Sequence, residues 1–226
     1  MENWTLESDV NDYVKKYLEK IGLKKHTDYN EESSMSDYMK EALQGAAKTE
    51  NKTNFGKPDF HIEKYNIPIV IENKLYSKKL IAQKDALIKD DDKSIKDYAV
   101  NGAIYYATNM IASGKYKEVV AIGVAGDNEE NVKIDVYFVY GTLFKTVKRM
   151  TKYTSFNFAE NKDSFVKFYN DCTISEKEKH ELLIKSKEEL NKYSKELNKL
   201  MHNLNITAPQ RVLYVSGMLI SMQKIE

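Results

Sequence analysis

The stretch GKPDFHIEKYNIPIVIENK, residues 56–74, constrains the fold more than any other part of the chain. Its apolar run IPIVI is typical of a strand that is buried in the centre of a sheet. A turn at Asn66 is expected to fold this strand back against the preceding one, PDFHIEKY. A buried strand normally ends in turn residues, but this one ends in Glu72, Asn73 and Lys74. The stretch therefore predicts a central strand that carries charged groups to its end.

The hairpin is expected to gather two carboxylates and an ammonium group. Side chains alternate along a strand, so Val70, Glu72 and Lys74 should share one face. The turn brings the strand that contains Asp59 back against the strand that contains Glu72. The alternative interpretation is an edge hairpin in which Glu72 and Lys74 form an ordinary surface pair.

This combination of residue types indicates metal-dependent chemistry on a phosphate. Carboxylate oxygens suit Mg²⁺, which binds one or two carboxylates together with substrate phosphate. Asp59 and Glu72 are the candidate ligands, with the backbone carbonyl of Asn73 as a further oxygen and Mn²⁺ as a substitute ion. Such a metal polarises a phosphodiester and lowers the pKa of an attacking water. Lys74 would orient that water or stabilise the charge that develops on the phosphate.

A first helix offers a further acid. Residues 5–21 predict an amphipathic helix, and its apolar stripe consists of Val10, Val14, Tyr17 and Ile21. Glu7 lies within this stripe, whereas Glu19 lies opposite and should face water. An acid on a core-facing stripe needs a partner, which a metal site would supply. The alternative is that Glu7 only favours the first helical turn through the helix dipole.

The remaining pattern predicts an α/β fold with a small mixed central sheet flanked by helices. Helices are expected over residues 34–48 and 94–113, and residues 75–93 are expected to form a mobile loop or a loosely held helix. Two more strands are predicted by KEVVAIGVAG and NVKIDVYFVYG, which the turn DNEEN separates.

Residues 158–226 differ in character from residues 1–157 and are expected to form a helical connector. Helices are predicted over 160–170 and 175–204, followed by an apolar helix-like segment. Leucines recur every seven residues in the long helix, with two further residues near the seam: Leu183, Leu190, Leu197 and Leu204, with Tyr193 and Leu200. This seam indicates either packing within the same chain or a dimerising coiled coil.

The pair Pro58-Asp59 and Glu72-Asn73-Lys74 resembles the motif of the PD-(D/E)xK nuclease superfamily. Residues 5–140 are similar to the nuclease region of type IIG restriction-modification enzymes and of type I restriction subunits. The resemblance implies a restriction-endonuclease-like core, with a helix before a four-stranded mixed sheet, and a Mg²⁺-dependent DNA endonuclease. It implies Asp59, Glu72, Lys74 and Glu7 as the catalytic group.

The same resemblance implies double-stranded DNA as substrate, and methyltransferase and target-recognition domains in the same polypeptide or complex. This sequence has no NPPY-like stretch and no glycine-rich cofactor loop of its own. Such nucleases also carry a QxxxY element after the ExK strand, but no glutamine precedes the tyrosines of SIKDYAVNGAIYYATNMI at that spacing. Tyr106 and Asn101 are the candidates for bracing Lys74 or the phosphate, with core packing as the alternative.

A basic segment is the candidate surface for the DNA backbone. Residues 143–156 contain no acid, and their basic residues alternate with aromatic ones: Lys145, Lys148, Arg149 and Lys152, with Phe144, Tyr153 and Phe156. The net charge is only +1, so any positive charge that binds DNA must be concentrated locally or supplied by a partner domain. A lysine run that simply faces solvent is the alternative.

The amino-acid composition excludes several other classes of protein. Cys172 is the only cysteine of the 226 residues, which excludes an internal disulfide and a cysteine-based zinc site and fits a cytoplasmic protein. No apolar run is long enough for a membrane span. His61 is expected on the same strand face as Asp59, either near the metal or simply packed. Two functional alternatives remain: a catalytically silent DNA-binding or assembly module of the same fold, and a structure-specific repair nuclease.

Overall fold

A computed structural model describes residues 3–48, 54–141, 145–173 and 176–222. The chain divides into two compact units, one before and one after the boundary between Cys172 and Thr173. The first unit holds the sheet and the predicted site, and the second unit is helical.

In the described ranges the first unit contains five α-helices and the second contains two. They are α1 Glu7–Lys20, α2 Asp37–Ala42, α3 Asp92–Asp97, α4 Ala99–Ala112, α5 Lys162–Cys172, α6 Glu176–Asn203 and α7 Ala208–Met222. Short 3₁₀ turns cover Ser77–Lys79 and Asn157–Ala159.

A mixed sheet forms the centre of the first unit. Its described strands are β1 Tyr29–Glu31, β2 Phe60–Ile62, β3 Ile69–Leu75, β6 Glu118–Gly126, β7 Val132–Tyr140 and β8 Thr146–Arg149, and a separate small hairpin consists of β4 Gln83–Lys84 and β5 Leu87–Ile88. The order across the sheet is β1-β2-β3-β6-β7-β8. Strand β3 pairs antiparallel with β2 and parallel with β6, and the other neighbours are antiparallel. The predicted α/β class with a small mixed sheet flanked by helices is confirmed.

Strand β3 is covered on both faces, as its continuous apolar run predicts. Ile69 and Ile71 belong to the core that includes Val10 and Val14 of α1. Val70, which points the other way, belongs to a second core with residues of α2 and α4. Because both faces are covered, the end of β3 delivers its polar residues into a protein interior. The edge-hairpin interpretation is therefore wrong.

The sheet is larger than the four strands that the resemblance implies. The short edge strands β1 and β8 were not predicted, because YNE and TVKR carry no alternating apolar pattern of their own. Both form by hydrogen bonding to a longer neighbour, β1 to β2 and β8 to β7. Pairing of this kind depends on the tertiary structure rather than on local preference.

Two predicted helices are shorter or divided. The helix expected over 34–48 ends at Ala42, and Gly45 follows with a φ of +79°, which a helix does not accommodate. The helix expected over 94–113 is divided at Tyr98, whose extended backbone separates α3 from α4. The segment 75–93, predicted as a mobile loop or a loosely held helix, is mostly neither of these, and α3 begins only at Asp92. The segment folds into a 3₁₀ turn and the β4–β5 hairpin.

The first unit extends to Cys172 rather than to residue 157. Helix α5, which the sequence assigned to the connector, contributes Phe165 and Phe168 to the core that includes α1. In the second unit, α6 and α7 match the predicted helical character. Tyr193, Leu200 and Leu204 of the predicted seam are exposed. The side chains of Leu183 and Leu190 lie outside the described residues, so both interpretations of the seam stay predictions.

None of the helices in the described ranges has both the length and the apolar character needed to cross a membrane.

A glycine sets how closely α4 approaches the sheet. A Cβ atom added at Gly123 of β6 would lie 2.6 Å from the backbone nitrogen of Val100 and 2.8 Å from its Cα. We expect Gly123→Ala to lower the free energy of unfolding by about 1–3 kcal/mol, because backbone atoms must move. Urea denaturation followed by circular dichroism measures this change. The matched substitution Gly217→Ala, in open space on α7, should not destabilise the protein, and equal losses in both variants would contradict the assignment.

Candidate active site

Glu72 enters the interior near the end of β3. Its register partner on β6 is Gly123, and its side chain is buried. A Cβ atom at Gly102 of α4 would lie 3.1 Å from Cγ of Glu72, so α4 passes directly over this side chain. The Oε2 atom of Glu72 is buried and has no hydrogen-bond partner among the described residues. A buried carboxylate oxygen without a partner is costly, so the position is suited to a cation.

Asp59 lies next to this carboxylate, one residue before β2. Its Oδ2 accepts a hydrogen bond of 2.7 Å from the backbone N–H of Asn73. Burial, and then the negative charge of Glu72, raise the pKa of Asp59 to about 8. The backbone therefore holds the two acids together at the end of β3, as the hairpin predicted.

Lys74 links the acid pair to the first helix. Its Nζ lies 3.3 Å from Oε1 of Glu72 and 2.8 Å from Oε1 of Glu7. Burial alone would lower the pKa of Lys74, but the charges of Glu72 and Glu7 outweigh burial and hold it above its usual range. Lys74 is therefore an ammonium ion across the physiological pH range.

Glu7 reaches the site from outside the core. The sequence placed it on the buried stripe of α1, but its side chain is 46% exposed. The buried stripe instead consists of Val10, Val14 and Leu18. Glu7 contacts Lys74, and it is also the first residue of α1, where the helix dipole favours an acid. Glu19 is exposed, as expected, and accepts a hydrogen bond from Tyr29.

Lys48 is a site residue that sequence reasoning missed. Its ammonium group forms an ion pair with Oε1 of Glu72 and lies 4.4 Å from the ring centroid of Tyr106. Burial lowers its pKa, against the opposing effect of Glu72. Lys48 follows α2 and belongs to no recognisable motif, so only its position in the fold brings it to the acids.

The two residues proposed to brace Lys74 have other contacts. The hydroxyl of Tyr106 donates to the backbone carbonyl of Lys57, 3.1 Å away, and its ring lies beside Lys48. Asn101 exchanges two hydrogen bonds with the backbone of Ala82 and donates a third to the carbonyl of Lys89. Asn101 therefore holds residues 82–89, and among the described residues neither Tyr106 nor Asn101 forms a hydrogen bond with Lys74.

Asn73 faces away from the acids. Its side-chain Nδ2 donates to Oδ1 of Asn11 on α1, 2.8 Å away, while its backbone N–H binds Asp59. The alternation of Glu72 and Asn73 across the strand matches the predicted period of two. The proposed role of the Asn73 carbonyl as a metal ligand stays a prediction.

The donor set fits a hard divalent ion that keeps some of its own water. Within the described ranges no group of three or more His, Cys, Asp or Glu residues gathers as a ready-made metal site. Asp59 and Glu72 supply two carboxylates, and Mg²⁺ commonly binds through one or two carboxylates with water and phosphate completing its shell. One carboxylate oxygen of the pair, Oε2 of Glu72, has no hydrogen-bond partner among the described residues, although Lys48 and Lys74 both contact Oε1.

The basic segment lies on a different part of the sheet. Strand β8 is three positions from β3 in the strand order. Arg149 forms two hydrogen bonds to the carboxylate of Asp135, and Lys148 donates to the carbonyls of Asp171 and Cys172. Lys145 and Lys152 are exposed. Phe144 lies outside the described residues.

His61 is fully buried, and its Nδ1 lies 3.4 Å from Oε1 of Glu63. It pairs with Val70 in the β2–β3 register. This position matches the packed alternative for this histidine.

Comparison with known proteins adds evidence of a different kind. The chain is similar along most of its length to a protein that combines a restriction enzyme with a methyltransferase. That relative is the type II restriction enzyme and methyltransferase RM.BcgI of Heyndrickxia coagulans, with 28% identity over 221 residues. The match covers 96% of this chain and 33% of the relative, so the chain spans about a third of the relative's length. No family model and no solved structure matches the chain.

The raised pKa of Asp59 predicts a specific dependence of stability on pH. Without divalent ions, the folded protein holds a proton on Asp59 that the unfolded chain releases near pH 4. The stability that this group contributes is complete below that pH and is lost as pH rises toward about 8. Asp59→Asn should remove this dependence, so the stability of the variant relative to wild type should increase over that window by at most about 1.4 kcal/mol per pH unit.

The measurement is urea denaturation of both proteins in EDTA, from about pH 4.5 to about pH 8.5, with each limit about half a unit above the corresponding end of the window. A stability difference between the two proteins that does not change with pH would contradict the assignment of the raised pKa to Asp59.

Proposed function

We propose that this chain is a Mg²⁺-dependent DNA endonuclease domain of a restriction-modification protein, and that it hydrolyses DNA phosphodiesters. The observation that carries the proposal is the buried pair of Asp59 and Glu72 at the end of a central strand, with Lys74 beside it. The similarity to a type II restriction enzyme and methyltransferase supports DNA as the substrate and the restriction-modification setting. Within this proposal, methyltransferase and target-recognition domains are partners, in the same polypeptide or complex.

The residues divide the chemistry between them. Asp59 and Glu72 would hold a divalent ion, which would supply Lewis-acid polarisation of the phosphodiester and a more acidic bound water. Lys74 provides a fixed positive charge that stabilises the negative charge developing on the phosphate. Glu7 is a positioning residue, because its carboxylate holds the ammonium group of Lys74. The backbone N–H of Asn73 orients Asp59.

One observation favours the rival of a catalytically silent module with the same fold. Glu72 contacts two ammonium groups, those of Lys48 and Lys74, so its charge is already compensated without a metal. A silent module would keep these ion pairs for stability alone. Metal binding separates the two proposals, because a purely structural ion-pair cluster has no reason to bind a divalent ion.

We expect Asp59→Asn and Glu72→Gln to weaken Mg²⁺ or Mn²⁺ binding at least about 10-fold, because each replaces a charged ligand with a neutral amide. Plasmid nicking should fall at least about 100-fold in both variants. Lys74→Met should keep metal binding and lose nicking. Isothermal titration calorimetry and supercoiled-plasmid nicking, run on the full chain, measure the two properties.

Glu41→Gln is the matched control, since Glu41 also pairs with a lysine, Lys115, but away from β3. It should leave both properties unchanged. Absence of metal binding by the wild type, with either ion and with DNA present, would refute the proposed metal site. Metal binding without nicking would contradict cleavage by this chain alone.

The exposed lysines around β8 should carry the contact with the DNA backbone. We expect the double variant Lys145→Ala/Lys152→Ala to bind a DNA duplex more weakly, with the slope of log affinity against log salt concentration reduced by about 1 for each lysine. Arg149 and Lys148 are less suited to this test because they form hydrogen bonds within the protein, whereas Lys152 has only a 4.0 Å contact with Oδ2 of Asp171. Fluorescence anisotropy at several salt concentrations is the measurement.

The control for this prediction removes the same charge elsewhere. Lys16 of α1 and Lys133 of β7 are also exposed, so Lys16→Ala/Lys133→Ala changes the net charge equally. The same loss of affinity in both double variants would show that overall charge, and not the β8 surface, determines binding.

A further inference from the structure

The ammonium group of Lys48 lies in a preformed cation-binding position inside the candidate site. Its ammonium group contacts the carboxylate of Glu72 on one side and the ring of Tyr106 on the other. A Cβ atom at Gly102 would lie 2.4 Å from this ammonium group. The absence of a side chain at Gly102 therefore leaves the space that the ammonium group fills.

Tyr106 connects the position of the Lys48 ammonium group to the segment that contains Asp59. Its hydroxyl donates to the carbonyl of Lys57, two residues before Asp59. The ring attracts a cation through its electron-rich face, most strongly where water is excluded. Gly102, Tyr106 and Glu72 thus form a cation site built by α4 and β3, and its occupant in the described structure is a side chain of the protein.

Lys48 and Lys74 differ in how they are held. Lys74 is shared between Glu72 and Glu7, whereas Lys48 forms its ion pair with Glu72 among the residues that the structure describes. A divalent ion bound by Asp59 and Glu72 would repel both ammonium groups. Lys74 would keep the carboxylate of Glu7 as a partner. Lys48 would lose the negative charge of Glu72, which offsets the cost of burying its ammonium group. The less independently held cation is therefore the one that a metal displaces.

We propose that Lys48 is an internal substitute for the metal: it neutralises Glu72 in the metal-free protein and leaves this carboxylate when a divalent ion binds. The inference rests on the proposed metal site and adds a form of regulation to it. Because a covalently attached ammonium group competes with the metal for one carboxylate, Lys48 lowers the apparent metal affinity. It also keeps the buried acids compensated when no metal is present.

The test is metal affinity measured by isothermal titration calorimetry with Mn²⁺ and with Mg²⁺ alone, on the full chain. We expect Lys48→Met to bind either ion at least about 10-fold more tightly than wild type, because the competing charge is gone. Lys48→Gln, which retains a hydrogen-bond donor for Glu72 but no charge, should show the same increase. Addition of metal should also raise the melting temperature of both variants more than that of the wild type.

Lys115→Met is the matched control. The Lys115 ammonium group also contacts a carboxylate, that of Glu41, and lies 4.6 Å from the ring centroid of Tyr38. This variant removes the same kinds of contact and the same charge outside the acid pair, and its metal affinity should equal that of the wild type. An equal increase for Lys115→Met would assign the effect to net charge and overturn the inference.

The outcomes separate this inference from the proposed function. If the wild type binds metal and the Lys48 variants bind equally or more weakly, the inference is overturned while the metal site stands. If neither wild type nor variants bind metal, the proposed site fails and the inference fails with it. Lys48 variants that fold only when metal is added would support the inference, whereas variants that stay unfolded with metal would show a purely structural role.

Discussion

The compensation of buried charge at the end of β3 is the constraint on which the rest of this site depends. Glu72 is carried into the interior because β3 is covered on both faces, and an isolated carboxylate there would be strongly unfavourable. Two lysines compensate it, one from the same strand and one from beyond α2. Asp59 adds a second acid, and its burial and the neighbouring charge of Glu72 raise its pKa. In the described structure, the lysines therefore offset the buried charge of Glu72 without a metal.

Backbone hydrogen bonds and strand pairing hold Asp59 and Glu72 close to the two lysines. The N–H of Asn73 binds Asp59, and the parallel pairing of β3 with β6 fixes the height of Glu72 in the sheet. Gly123 and Gly102 let α4 approach closely, one against the sheet and the other against the site. These contacts pre-position the charged groups on rigid elements, which is the arrangement that electrostatic catalysis requires.

Particular elements show how far the sequence could be interpreted. The burial of β3, the hairpin with β2 and the helix α1 were predictable, because each follows from a local apolar period or a turn residue. The edge strands β1 and β8 were not, because their residues become strands only by pairing with a neighbour. Helix α5 was assigned to the connector, although Phe165 and Phe168 complete the first core. Amphipathic helices carry no local signal of which core they join.

The sequence by itself determined the chemistry of the site: Asp59, Glu72 and Lys74 follow from one hairpin, since alternation along a strand is a local property. Only the tertiary structure decided which other groups face them. Lys48 and Tyr106 come from segments distant in sequence, and no spacing rule relates them to β3. It also decided that Arg149 and Lys148 bind carboxylate and carbonyl groups of the protein itself. The sequence specifies which residues are charged, but the tertiary structure determines which groups each charge contacts.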